Sequence, residues 1–301
     1  TALAPPPGHR RPRRPGARAL GARRSGYHRR HMRERDIAAL DDHQLVPRVL
    51  HEVEEPDLSV EVLGLTLEWP LVPRLPAGAS WGDALTRPAT GGLARLGAVD
   101  ASAVTAERLS ECPPDSVVAV LPPRRMAELV AEVKRLADLG VAGVGIDLAP
   151  LSDVAPFGKE AFRPRSREDL AELRAAAGGP LWVFGVGSPA DAEVAAEAGA
   201  DVVVVSSALG SRLRSPATIE LLPEVVDAVA GMLTIAAEGA LRDGVDAFRY
   251  LAVGAELVVV DGDRSITALA AELAYAYKLT GCATFADVGY DALFAPLYTE
   301  P

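Results

Sequence analysis

Four short apolar runs between residues 180 and 263 constrain the fold of this chain more than any other feature. Each run is rich in β-branched residues, stops at Gly, Ser or an acidic residue, and is followed by a helical pattern. Strands of a parallel sheet that is buried on both faces have this composition. The runs are residues 180–186 (PLWVFGV), 201–207 (DVVVVSS), 232–240 (MLTIAAEGA) and 255–263 (AELVVVDGD).

The same pattern extends towards the amino terminus and predicts eight strands separated mostly by helices. This order favours an α/β fold of the (β/α)8 TIM-barrel type over an open doubly wound sheet. The first two predicted helices, 82–89 and 104–110, are short, so an incomplete or distorted barrel is the alternative. The predicted strands are 71–75, 93–99, 116–121, 141–147, 180–186, 201–206, 232–237 and 256–260, and the later helices are 124–139, 189–198, 216–230, 242–253 and 264–280.

The chain divides into an arm, a barrel and a tail. We expect residues 36–290 to form one barrel domain, preceded by an arm over 1–35 and followed by a tail over 291–301. The helical spacing of apolar residues before position 52 predicts a lead-in helix and loop beneath the barrel. Alternation over 57–70 predicts a hairpin around Gly64.

The arm is strongly basic, although the formal net charge of the whole chain is −10. Residues 10–35 contain eleven arginines and one acidic residue, Glu34. Prolines and the near absence of aromatic residues favour a disordered arm and make nucleic-acid binding the less favoured interpretation. A targeting segment is a further alternative, as is a start of the native protein at Met32.

Apolar runs and cysteines narrow the class of protein. No apolar run approaches the ~18–20 residues that span a bilayer, which predicts a soluble, cytoplasmic protein without a membrane span. The two cysteines, Cys112 and Cys282, form neither a disulfide framework nor a metal-binding quartet. We therefore interpret both as buried or incidental thiols.

Several segments resemble the FMN-dependent α-hydroxy-acid oxidase and dehydrogenase family, which includes glycolate oxidase. The resemblance holds in order and spacing over about residues 45–290. It implies a barrel fold, FMN as cofactor, a small 2-hydroxy acid as substrate and a homo-oligomer. The matching segments are residues 45–50 (LVPRVL), 57–64 (DLSVEVLG), 190–201 (ADAEVAAEAGAD), 216–226 (PATIELLPEVV), 242–255 (RDGVDAFRYLAVGA) and 272–282 (ELAYAYKLTGC).

The catalytic residues that the resemblance implies are largely replaced. Phe184 stands where the family has a lysine at the end of the fifth strand, and Ala208 or Leu209 stands where it has its histidine base. Arg212 is the candidate for the arginine that pairs with the substrate carboxylate. All five histidines precede residue 52, so no predicted barrel loop carries an imidazole.

The phosphate-binding end is also altered. Gly239 and Arg242 match the family motif after the seventh strand, whereas Asp261 and Asp263 stand where the family has a glycine and, nearby, an arginine. Carboxylates repel a phosphate in a pocket of low dielectric, which argues against FMN binding. If FMN is bound, the candidate cofactor-binding residues are Ser206, Gly239, Arg242, Gly262 and Arg264.

These departures favour a catalytically degenerate family member, a pseudoenzyme that serves as a scaffold or as the partner subunit of another protein. The alternative is an FMN-binding oxidoreductase that acts on a small 2-hydroxy acid through a non-standard site.

The carboxylates at predicted strand ends suggest a third hypothesis, which is acid–base catalysis or binding of a divalent cation. The carboxylates concerned are Asp147, Glu238, Asp261 and Asp263. The candidate catalytic residues are Asp147, Glu238 and Arg212. We favour a simpler interpretation without a metal, in which each carboxylate caps a helix or pairs with Arg242 and Arg264.

Overall fold

The structure is a computed structural model of the 301-residue chain. It describes residues 33–81, 85, 93–152, 163–262 and 264–294, and it describes the backbone but not the side chains of residues 211 and 212. The helix predicted over 82–89 lies outside the described residues except for Leu85, and Asp263 lies outside them as well.

Eight parallel strands close into a barrel, which confirms the predicted fold class. Closure occurs where the first barrel strand pairs with the last, with Val258 opposite Leu71 and Asp261 opposite Arg74. A two-stranded antiparallel hairpin, β1 (Val60–Val62) and β2 (Leu65–Leu67), precedes the barrel. The barrel strands are β3 (Leu71–Leu75), β4 (Gly97–Asp100), β5 (Val117–Leu121), β6 (Gly143–Asp147), β7 (Leu181–Val186), β8 (Val202–Val205), β9 (Thr234–Glu238) and β10 (Leu257–Asp261).

The helices surround the barrel, and the five longer predicted ones lie within two residues of their predicted ends. The helix between β4 and β5 has only five residues, as the prediction of short early helices required. The helices are α1 (33–42), α2 (Ala106–Ser110), α3 (Met126–Asp138), α4 (Arg167–Ala177), α5 (Pro189–Glu197), α6 (Thr218–Val229), α7 (Gly244–Ala252) and α8 (Ile266–Thr280).

Helix α4 was not among the predicted helices, although the sequence signals for both of its ends are present. The Ser166 hydroxyl accepts a hydrogen bond from the amide of Asp169, whose carboxylate accepts one from the amide of Ser166. Gly178 ends the helix in the left-handed conformation, with φ of 65°. A capping box and a glycine C-cap are sufficient to identify both ends of such a helix.

Alternate strand residues point into the barrel and form its interior core. Val72, Trp182, Phe184 and Val204 belong to this core, and the hairpin packs against it at the amino-terminal end of the strands. Leu67 bridges Ala94 just before β4, which places the hairpin at that end. The barrel interior is therefore apolar towards the amino-terminal ends of the strands and charged at their carboxyl-terminal ends.

The lead-in helix α1 does not lie beneath the barrel as predicted. Its Asp36 accepts hydrogen bonds from Ser207 and from the amide of Ala240, which follow the carboxyl ends of β8 and β9. The chain then reaches the carboxyl-terminal end of α8, where the amide of Arg48 donates to the carbonyl of Leu279. The apolar spacing identified the helix, but the position depends on the polar contacts of Asp36.

None of the helices in the described residues combines the length and the hydropathy that a membrane-spanning segment needs.

The tight contact between α7 and α8 provides a test of the packing. Gly244 opens α7, and a Cβ atom there would overlap the backbone of Leu273 and Leu269. We expect Gly244→Ala to destabilise the protein by about 1–3 kcal/mol, because neither backbone can move aside cheaply. The matched control is Gly179→Ala, since no atom lies within 4 Å of the Cβ that it would add. Thermal unfolding of both variants measures the difference, and equal melting temperatures would contradict the packing described.

Candidate functional site

One arginine occupies the centre of the barrel mouth. Arg74, the penultimate residue of β3, donates from Nη1 to Glu238 Oε1 at 2.5 Å and from Nη2 to Asp147 Oδ2. Asp147 and Glu238 are the last residues of β6 and β9. The guanidinium therefore links three strands that are distant in sequence, and it does so at the end of the barrel where enzymes of this architecture carry their active sites.

An aromatic ring supports the guanidinium from below. The Arg74 Cζ atom lies 5.0 Å from the centroid of the Phe184 ring, which is fully buried in the barrel interior. Gly145 on the neighbouring strand leaves room for that ring, since a Cβ there would lie 2.6 Å from Phe184 Cε2. A guanidinium over an aromatic face gains cation–π attraction in addition to its ion pairs.

Burial and charge have opposite effects within this cluster. Burial alone would lower the pKa of Arg74, but the carboxylates of Glu238 and Asp147 outweigh it and raise that pKa. Burial raises the pKa of Glu238, and Arg74 opposes the rise only in part. The arginine is thus firmly charged, whereas Glu238 is costly to keep ionised without it.

A cavity of about 300 Å³ opens beside Arg74. Asp100, Asp147 and Asp261, each the last residue of its strand, line it. Among the described side chains, Arg74 faces these three carboxylates and that of Glu238, so the described part of the mouth carries more negative than positive charge. Such a field repels anionic ligands. The remaining lining residues are Leu75, Pro76, Ala98, Val120 and Pro122.

Among the described carboxylates, Asp147, Glu238 and Asp261 do not form the predicted ion pairs with Arg242 and Arg264. Arg242 Nη2 lies 2.6 Å from Asp41 of α1 and 2.8 Å from the buried Asp246 of α7. The hydrogen bonds that Arg242 donates to Asp246 and Asp41 raise its pKa. Arg264 donates to the carbonyl oxygens of Leu241, at 3.0 Å, and of Arg242. Both predicted phosphate-binding arginines are therefore engaged on the outer side of the loop after β9.

The two predicted phosphate-binding glycines have packing roles. A Cβ on Gly239 would overlap the Tyr250 hydroxyl, which donates to the carbonyl of Ala240 at 3.1 Å. A Cβ on Gly262 would overlap the backbone of Arg74, and the Gly262 amide donates to the Arg74 carbonyl at 2.9 Å. Close contact within the chain accounts for glycine at both positions.

Of the predicted residues after β8, Ser206 and Ala208 are described, and neither has a hydrogen bond to Arg74, Asp147 or Glu238. Ser206 is buried, and its hydroxyl accepts from the amide of Ala208 at 3.3 Å. Ala208 itself is exposed. The side chain of Arg212 lies outside the described part of the chain, so its predicted role stays a prediction.

Among the described residues, no group of three or more His, Cys, Asp or Glu side chains is arranged to hold a metal ion. Asp147 and Glu238 face a guanidinium instead. The Asp147 carboxylate also accepts a hydrogen bond from the amide of Ala149, at 2.9 Å, at the start of a short 3-10 helix (Ala149–Ser152).

Arg74 is the residue that sequence reasoning missed. Its signal is present in the strand Leu71–Leu75 (LVPRL), because it is the single charged residue in an otherwise apolar run. Alternation places it on the same face as Val72, which belongs to the barrel interior. A charge on the inner face of a barrel strand needs an opposite charge nearby.

Comparison with known proteins identifies the family. The model of the FMN-dependent dehydrogenase family matches residues 120–294, more than half of the chain. The chain belongs to the FMN-dependent dehydrogenase family. The family match covers strands β6 to β10 in full, and thus every strand-end carboxylate of the mouth except Asp100.

Curated relatives in this family are lactate enzymes. The chain is 32% identical over 197 residues to the L-lactate dehydrogenase of Chromohalobacter salexigens, which covers 56% of this chain and 50% of the relative. It is 38% identical over 151 residues to the L-lactate oxidase of a Roseobacter species, covering 45% and 40%. The chain thus spans about half the length, or less, of these relatives.

Solved structures share the barrel at low identity. Flavocytochrome b2 superposes with a TM-score of 0.72 at 20% identity, covering 90% of this chain and 85% of the other. A lactate oxidase from Pediococcus acidilactici superposes with a TM-score of 0.69 at 22% identity, covering 89% and 87%. These likenesses support the fold of this member of the FMN-dependent dehydrogenase family.

The ion pairs of Arg74 provide a test of the charge network. We expect Arg74→Met to cost about 3–5 kcal/mol of unfolding free energy at neutral pH, because it leaves Asp147 and Glu238 without their cation. Burial favours the protonated form of Glu238, and the variant lacks the Arg74 charge that opposes this. The loss of stability is therefore smaller at acid pH and grows as the pH rises through the raised folded-state pKa of Glu238. Urea unfolding at pH 5 and pH 8 measures this trend.

The matched control for this test is the triple variant Arg74→Met, Asp147→Asn, Glu238→Gln. It removes the unpaired charges together with the arginine, so it should recover most of the lost stability. A single variant as stable as the wild type at pH 8 would show that the ion pairs contribute nothing.

Proposed function

We propose that this chain is a family member that does not oxidise 2-hydroxy acids, and that its barrel serves as a scaffold or as the partner subunit of another protein. The observation that carries the proposal is the Arg74 cluster. Arg74, Asp147 and Glu238 satisfy one another at the centre of the mouth, where a reacting group would have to lie. A substrate would have to displace one of these ion pairs.

The charge of the mouth argues against the substrate class of the family. A 2-hydroxy acid is an anion at neutral pH, and its carboxylate would compete with Asp147 and Glu238 for the guanidinium of Arg74. Asp100 and Asp261 add further repulsion in the same cavity. The mouth therefore disfavours the ground-state complex that oxidation requires.

No barrel loop of this sequence carries an imidazole for proton abstraction. His51 is the last histidine of the sequence, and the barrel begins at Leu71. The ring of His51 is held between the carbonyls of Arg48 and Lys278, near the carboxyl-terminal end of α8. The resemblance to the family implies a histidine base after β8, and this chain has Ala208 or Leu209 there.

The residues present do not fit the phosphate of FMN. The Arg242 guanidinium is bound to Asp41 and Asp246, and the space at Gly239 is taken by the Tyr250 hydroxyl. Asp261 places a further carboxylate at the end of β10, beside this region. A dianion would thus meet engaged arginines and unshielded negative charge.

The alternative function is oxidation of a small 2-hydroxy acid with FMN held in a non-standard way. The family match and the cavity of about 300 Å³ beside Arg74 favour it. In that case Arg74 would leave its carboxylates and bind the substrate anion. The two functions differ in whether the protein binds flavin.

An absorbance spectrum decides between them. We expect the purified protein, incubated with excess FMN and desalted, to show only the protein band, and to reduce no electron acceptor in the presence of lactate, glycolate or mandelate. The L-lactate dehydrogenase of a relative, treated in the same way, is the control for reconstitution. Retained flavin bands that are bleached by a 2-hydroxy acid would refute the proposal and establish the alternative.

A further inference from the structure

A buried carboxylate from α1 occupies a site built by two barrel loops. Asp36 is only 5% exposed, although it belongs to the first described helix. Its Oδ1 accepts from the Ser207 hydroxyl at 3.1 Å and from the Thr218 amide at 3.2 Å, and its Oδ2 accepts from the Ala240 amide at 3.1 Å. All three donors follow the carboxyl ends of β8 and β9.

The three donors have the arrangement of an anion receptor. The Thr218 amide is the first of the twelve-residue helix α6, where backbone N–H groups and the helix dipole favour negative charge. The Ser207 hydroxyl and the Ala240 amide approach from two other segments. The receptor thus belongs to the barrel, whereas the anion that fills it comes from a separate helix.

Both oxygens of the Asp36 carboxylate must act as acceptors, because the site presents hydrogen-bond donors to each of them. An asparagine at position 36 would retain one acceptor oxygen and turn its NH2 group towards an N–H, leaving a buried donor unsatisfied. The site therefore selects a carboxylate over an amide of the same shape.

Hydrogen bonds continue from this site to the barrel mouth. The Thr218 hydroxyl accepts from the Ser207 amide at 3.0 Å and donates to the Glu238 carbonyl at 3.1 Å. The side chain of Glu238 in turn binds Arg74. Asp36 is thus connected to the mouth cluster through Thr218 and the backbone of Glu238.

We propose that the loops after β8 and β9 form a binding site for small carboxylate anions, which Asp36 fills as a tethered ligand, and that this site positions Glu238 at the barrel mouth. The inference does not depend on whether the protein is catalytic. Asp36 acts through Thr218 and does not itself touch the cavity, so it is a positioning residue.

Chemical rescue tests the binding site. Asp36→Ala removes the tethered ligand and leaves three donors unpaired, so we expect its melting temperature to fall by roughly 5 °C or more. Sodium formate should restore at least about half of that loss, compared with sodium chloride at the same ionic strength. Asp42→Ala is the matched control, because Asp42 is an exposed residue of the same helix. Equal effects of formate on the wild type, Asp42→Ala and Asp36→Ala would overturn the proposal.

A second variant keeps the test decisive if Asp36→Ala does not fold. In Asp36→Asn we expect the amide hydrogen of Thr218 or that of Ala240, whichever faces the new NH2 group, to exchange at least about tenfold faster than in the wild type, which corresponds to about 1.4 kcal/mol of lost protection. In Asp42→Ala both should exchange at the wild-type rate. Unchanged exchange in Asp36→Asn would show that the carboxylate does not hold these donors.

The link to the mouth is tested by a double-mutant cycle. Glu238→Gln should shift the melting temperature less in the Asp36→Asn background than in the wild type, because Glu238 is then less well positioned. If Glu238→Gln changed the melting temperature equally in the two backgrounds, Asp36 would not position Glu238.

Discussion

The burial of a single positive charge inside a parallel barrel governs the chemistry of this molecule. A guanidinium on the inner face of β3 cannot remain without counter-ions, and it finds them only because barrel closure brings the ends of β6 and β9 within its reach. Phe184 and Gly145 shape the floor beneath it. At the mouth, Arg74, Asp147 and Glu238 thus form ion pairs with one another above an apolar core. The cavity that could hold a ligand lies to one side of them.

The loop after β9 is fixed by charges on both of its sides. On the inside, Glu238 is bound to Arg74. On the outside, Arg242 joins Asp41 of α1 to Asp246 of α7, which is fully buried. Between them the Ala240 amide is bound to Asp36. A loop held in this way has little freedom to rearrange around a new anion, since each movement would break an ion pair or a buried hydrogen bond.

The strands were predictable because burial on both faces forces β-branched, apolar sequences with sharp ends. The position of α1 and the partners of the mouth carboxylates were not, since both depend on contacts between residues far apart in the chain. Asp147 and Glu238 were identified as site residues, but Arg242 and Arg264 were assigned to them in place of Arg74. Alternation along β3 places Arg74 on the inner face with Val72, which would have identified it as the partner of these carboxylates. That step requires knowing that the sheet closes between β3 and β10.

The contacts of Asp36 also set the order in which this chain can complete its fold. They join residues separated by 171, 182 and 204 positions along the sequence. During synthesis, α1 emerges from the ribosome before the segments that bind it. The Asp36 carboxylate therefore remains solvated until β9, the seventh barrel strand, has been synthesised. Contacts of such long range slow folding, because the entropy of closing the intervening chain is lost before they form. We therefore expect α1 to dock on the loops after β8 and β9 late in folding.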